Sequence, residues 1–225
     1  MRVAQSWLVL ISAAAMGVGG PVYAGLLSGS NSADISETAY SSSKNEMGVV
    51  LVSVNWQRKW KCGEFENAEL LTMGFDLMPI TTSVDRTQPA FFLDGPPRLT
   101  KSSGFVPYVA LLKPGTYALS QFDIKAARSV SEVGHFSAGP KELIPEGKDA
   151  LGTFDVRAGE VVYIGHFFVD CAGRPIPWRF YVEDRDGFAK YIAAIKAKYP
   201  FLDVSNAQFR LLKTEAFGRN YDLPQ

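Results

Sequence analysis

Short runs in which apolar and polar residues alternate constrain this chain more than any other feature. Val50, Val52, Val54 and Trp56 alternate with Leu51, Ser53 and Asn55, and Leu71, Met73, Phe75 and Leu77 with Thr72, Gly74 and Asp76. A period of two is that of a strand, whose successive side chains point to opposite faces. Further strands are expected at 90–93, 105–112, 117–125, 152–156, 161–170 and 178–182, and a last one at 207–214. Gly95-Pro96-Pro97, Lys113-Pro114-Gly115 and Ala158-Gly159-Glu160 punctuate them, because proline lacks the amide a ladder needs and glycine admits turn conformations. Residues 126–150 read as a polar excursion with at most one short strand.

The period changes once. Phe188, Ile192, Ile195 and Tyr199 are spaced 4, 3 and 4 apart, one face of a helix over about 186–199. Asp184 or Asp186 is placed to cap it, and Pro200 ends it. The expected fold is therefore mainly β: an antiparallel β-sandwich with one C-terminal amphipathic helix packed on it. The sandwich is assigned to residues 47–214, preceded by a Ser/Gly-rich flexible lead-in at 25–46 and followed by a polar tail at 215–225.

Residues 1–24 read as a secretory signal peptide: a basic start at Arg2, an apolar run from Trp7 to Met16, and a small-residue exit ending in Ala24. That run is about half the roughly 20 residues that span a bilayer, so no stable membrane span is expected. Gly25 rather than a cysteine follows Ala24, which argues against a lipid anchor and places the mature chain in the periplasm or outside the cell. Without Arg2 the chain keeps 22 basic and 23 acidic residues. Such a balance gives no electrostatic reason to bind nucleic acid. In an oxidising compartment Cys62 and Cys171 read most simply as a disulfide, with free thiols the alternative.

Two segments, Leu112-Lys113-Pro114-Gly115-Thr116-Tyr117 and Phe154-Asp155-Val156-Arg157-Ala158-Gly159-Glu160-Val161-Val162-Tyr163-Ile164-Gly165, are familiar together. They resemble the PGxY and aGxvvYiG hairpins of a group of uncharacterised bacterial envelope proteins, often lipoproteins, with a prealbumin-like β-sandwich. Tyr199-Pro200 matches the helix ending of that group. The resemblance implies a fold and an envelope location, and it carries over no catalytic residues.

Chemistry-bearing patterns are sparse. The two histidines, His135 and His166, sit in no nucleophile motif, and no G-x-S-x-G elbow occurs. His166 is expected on one strand face with Val162 and Ile164, hydrogen-bonded to backbone; His135 is expected in solvent. The scattered histidines and cysteines lack zinc-ligand spacing, and Glu183-Asp184-Arg185-Asp186-Gly187 is too short for a calcium loop. No glycine-rich phosphate loop is present, so no metal or cofactor is assigned. Asp76, Asp94, Asp155, Glu160 and Asp170 are candidate carboxylates. Trp56 and Trp178 fall in phase with apolar faces and read as core.

Trp60 differs. Arg58-Lys59-Trp60-Lys61 reads as an exposed turn, and an exposed tryptophan flanked by cations suits a partner contact. The expected function is a non-enzymatic binding module of the cell envelope, using this segment toward an envelope protein or a glycan. Two alternatives stand beside it. One is a glycan-acting enzyme with paired carboxylates about 5 to 10 Å apart. The other is a small-ligand carrier with a cavity between sheet and helix.

Overall fold

A computed structural model describes residues 35–80, 89–97, 103–144 and 152–224. The signal-peptide assignment and the start of the lead-in lie outside the described residues. In chain order the elements are α1 (Glu37–Ser43), β1 (Gly48–Val54), β2 (Lys59–Cys62), β3 (Phe65–Leu77), β4 (Phe91–Asp94), β5 (Val106–Leu112), β6 (Gly115–Ala127) and β7 (Val133–Ala138). They continue with α2 (Pro140–Leu143), β8 (Thr153–Val156), β9 (Val161–Asp170), β10 (Ile176–Phe180), α3 (Arg185–Lys198) and β11 (Gln208–Phe209).

Two sheets pack as a sandwich. The first runs β10-β9-β1-β5, with β11 joined to β9 ahead of β10. It is mixed, since β1 and β11 run parallel to β9; an alternating pattern sets a strand's faces and leaves its direction open. The second is built on β3 and β6, each 13 residues long. Short strands sit end to end along their outer edges, β2 and β4 on β3, β7 and β8 on β6. Val50, Val52, Val54, Val162, Ile164 and Phe167 from one sheet meet Leu70, Met73, Phe75, Leu119 and Ile124 from the other. Phe75 joins the layers, its ring 5.6 Å from Phe91, 5.5 Å from Phe154 and 6.1 Å from Phe167.

The outer face of the first sheet carries a second core. Val49, Leu51, Val109, Val161 and Tyr163 meet Ile195, Tyr199 and Leu202. Every residue of β1 is therefore buried, which is why Val49-Val50-Leu51-Val52 is continuously apolar. The Asp184 side chain caps α3 by accepting from the Gly187 amide at 2.6 Å.

Four expectations are corrected. The lead-in contains α1, capped by Ser36 and docked through buried Tyr40; with one buried side chain in seven residues it leaves no period to read. The tail is packed, with Phe217 in the core and Tyr221 stacked on Tyr181 at 4.4 Å. The last strand shortens to Gln208–Phe209 and continues only as a bridge between Lys213 and Thr153. The 58–63 turn is instead β2, paired with β3 through Lys59↔Ala68 and Trp60↔Asn67, and the reversal is made by Gly63 and Glu64. Gly63 takes φ +60°, the conformation a two-residue hairpin loop requires of its first residue in a type II′ turn.

The disulfide forms. Cys62, at the end of β2, is bonded to Cys171, just past β9, with Cα atoms 5.0 Å apart. It ties the two sheets together and closes 109 residues, a constraint worth about 4 to 5 kcal/mol in the chain-entropy account.

Candidate functional site

β2 is the edge strand expected to carry an interaction. Trp60 is its exposed aromatic, at 64 % exposure. The neighbouring cations are engaged within the protein: Arg58 Nε lies 3.0 Å from Glu69 Oε2, and Lys59 Nζ 3.8 Å from Asp170 Oδ1. The Arg58 guanidinium also lies 5.9 Å from the Trp60 ring, and Lys59 5.9 Å from that of Phe168. Lys61 points to solvent on a φ of +58°. The segment is thus an aromatic edge held by ion pairs on one side and the disulfide on the other, and most of its positive charge is locally neutralised.

Sheet register places a polar face beside this edge. β6 buries Phe122, Ile124 and Ala126 in the core, which leaves Asp123 and Lys125 on the outer face. Glu69 stands opposite Lys125, and Lys125 opposite His135. With Arg58 on Glu69, these residues form one row across three strands. A β-bulge between Leu70 and Thr72 brings Thr72 opposite Asp123. Asp94, Thr72, Asp123 and Ser137 then form a second row. The same bulge buries Leu70 where the plain alternation expects Leu71. Between the rows and the Gly95–Pro97 wall lies a groove of about 410 Å³.

The bonding inside the groove is uneven. Asp123 is contacted by His135 Nδ1 at 3.1 Å and accepts from Ser137 Oγ at 2.8 Å. Both residues address the carboxylate rather than each other, so serine and histidine form no nucleophile–base pair. Among the described residues the side chains of Asp94 and Lys125 make no hydrogen bond or ion pair. Of the five candidate carboxylates only Asp94 reaches this groove. Asp76 accepts from the Ala90 amide at 3.0 Å, Asp155 from Thr116 Oγ1 at 2.7 Å, Glu160 pairs with Arg210, and Asp170 with Lys59. Glu69 and Asp123 take their places. Among the described residues no group of three or more His, Cys, Asp and Glu is set to hold a metal ion.

The other singled-out residues lie elsewhere. Trp56 is core and donates through Nε1 to the Tyr108 hydroxyl at 2.7 Å. Trp178 is not core. It is half-buried opposite Phe168, and Arg179 beside it is buried instead, donating to the carbonyls of Leu212 and Arg219. His166 also changes face. Leu51 pairs with Tyr163 but Ser53 with His166, an extra residue accommodated at Gly165, whose φ is +118°. Val162 and Ile164 therefore face the sandwich core while His166 faces outward beside Tyr163. Its Nε2 is buried without a hydrogen-bond partner, contrary to the expected backbone bond. Phe105 lies 4.8 Å from its ring and Tyr191 5.2 Å. Burial pushes its pKa down to about 4.

No family model, curated protein or solved structure matches this chain. No helix among the described residues is long and apolar enough to cross a membrane. The functional reading consequently rests on the groove, the Trp60 edge and the disulfide.

Proposed function

We propose that this protein is a non-enzymatic binding module of the bacterial cell envelope, working outside the cytoplasm through the Trp60 edge and the groove beside it. The observation that carries the reading is Trp60: a large apolar ring left 64 % exposed on a strand held by the Arg58–Glu69 and Lys59–Asp170 pairs and by Cys62–Cys171. Aromatic residues so placed are the ones that anchor interfaces, and pre-ordering the strand lowers the entropy lost on binding. The disulfide and the leader-like residues 1–24 support the location. The hairpin resemblance to prealbumin-like envelope proteins belongs to the same proposal.

A photo-crosslinking phenylalanine analogue at position 60, in cells of the source organism, tests it. Discrete adducts with an envelope component are expected from position 60 and none from exposed position 190. Absence of any adduct at 60 overturns the reading.

A glycan-acting hydrolase is the second reading, because Glu69, Asp94 and Asp123 line one groove. Such chemistry needs two available carboxyl groups. Arg58 holds Glu69, and His135 with Ser137 holds Asp123, leaving Asp94 open. That favours binding over turnover.

A further inference from the structure

Resting on that reading, we infer that the groove on the outer face of the six-stranded sheet is a saccharide site, selective for neutral, polyhydroxylated rings. Its volume of about 410 Å³ falls within the roughly 300 to 1,000 Å³ of small-molecule sites. What it offers a ligand is a matched set of hydrogen-bonding groups. Asp94 presents open acceptor oxygens and Lys125 an open donor, with the Thr72 hydroxyl, able to do both, lining the same space. Adjacent hydroxyls on a sugar ring each donate and accept, so this set suits them.

The same groups exclude other ligand classes. An apolar ligand would strip water from Asp94 and Lys125 and return no hydrogen bond, which penalises burial. Among the described residues lining the groove, a phosphate or other anion would face Glu69, Asp94 and Asp123 against one unpaired ammonium, that of Lys125. A sugar also has apolar C–H faces. Pro96 and Pro97 wall the groove, and Trp60 stands one row away on the same sheet face, opposite Asn67 and linked to the groove through Arg58 and Glu69. The Trp60 ring supplies the flat apolar platform that such C–H faces stack on. The rows run straight across the sheet, so an oligosaccharide lying along them reaches from the Trp60 edge to His135.

The test uses the mature, disulfide-bonded protein and amide NMR. It is titrated with neutral gluco-, manno- and N-acetylglucosamine-based oligosaccharides, and separately with inorganic phosphate and a polyanionic glycan. Saturable shifts are expected with at least one neutral oligosaccharide, at the amides of Asp94, Lys125 and His135 and at the Trp60 indole, and none with phosphate. D94A and K125A should each weaken that binding about tenfold while keeping the dispersed spectrum of the folded protein. The inference is overturned if no neutral oligosaccharide gives saturable shifts at about 10 mM, if the shifts map to the Phe168–Trp178 face, or if the anions bind better. Adducts from position 60 without any saccharide binding overturn this inference and leave the binding-module reading standing. Release of new reducing ends on prolonged incubation sustains the saccharide class and overturns the non-enzymatic reading.

Discussion

Acidification should cost this protein stability through one side chain, His166. The ring is packed between Phe105, Tyr163 and Tyr191, and its Nε2 has no partner. Burial holds its folded pKa at about 4, against about 6.5 in the unfolded chain. The folded state therefore prefers the neutral imidazole. Stability is complete above the unfolded value and is lost as pH falls from about 6.5 toward 4, because the unfolded chain binds the proton first. At pH 5 the imbalance amounts to about 1.5 pK units, or about 2 kcal/mol. Groups that titrate in the same range are removed by differencing. Urea unfolding with the disulfide intact, at pH 7 and pH 5, is compared between the wild type and His166→Phe, which keeps an aromatic ring in the cage. The wild type should lose about 2 kcal/mol more than the variant over this interval, a difference of about 4 to 8 °C in Tm for a domain of this size. With only two histidines in the chain, NMR titration assigns each directly. Equal losses in both proteins, or a measured His166 pKa near 6.5, would refute the reasoning.

Three further outcomes follow from the packing. Cys62→Ala with Cys171→Ala should lower unfolding free energy by about 4 to 5 kcal/mol, and thiol labelling of the unfolded, unreduced wild type should find no free cysteine. Arg179→Met leaves the Leu212 and Arg219 carbonyls without donors; about 2 to 4 kcal/mol should be lost, and trypsin should cut at Lys213 and Arg219 sooner than in the wild type, whereas unchanged cleavage would exclude the clasp. Asp184→Ala removes the α3 cap and should cost about 1 kcal/mol by denaturant titration, with no effect beyond about 0.3 kcal/mol counting against it.

Local signals were enough for much of this architecture. Alternation in 50–56, the strands expected at 105–112 and 117–125, the 4-3-4 spacing of Phe188 to Tyr199, and glycine and proline at the reversals all survive folding, because each reports an element or turn set by a few neighbouring residues. The Cys62–Cys171 pair and the exposure of Trp60 were also legible, the first from the cysteine number and the leader-like pattern of residues 1–24, the second from the cations around it. The groove was less so. Asp123 and Lys125 flank core residues Phe122, Ile124 and Ala126, a local pattern for an outward face that the expected strand at 117–125 left unread. Nothing local, however, said that Glu69, Asp94, His135 and Ser137 would be brought to the same face.

What the chain determined by itself was periodicity: where most of the strands run, where the C-terminal helix lies, and where many of the turns fall. What the tertiary structure decided was phase and partnership. A single bulge at Gly165 reverses every later side chain of β9, moving His166 out and Phe167 in, since one added residue inverts a period of two. The bulge at Leu70–Thr72 exchanges Leu71 for Leu70 and aligns Thr72 with Asp123. Arg179 takes a buried position and Trp178 a half-exposed one because the returning C-terminal segment supplies carbonyls to both terminal nitrogens of the guanidinium. Those partners lie 33 and 40 residues away along the chain, and only folding brings them within reach.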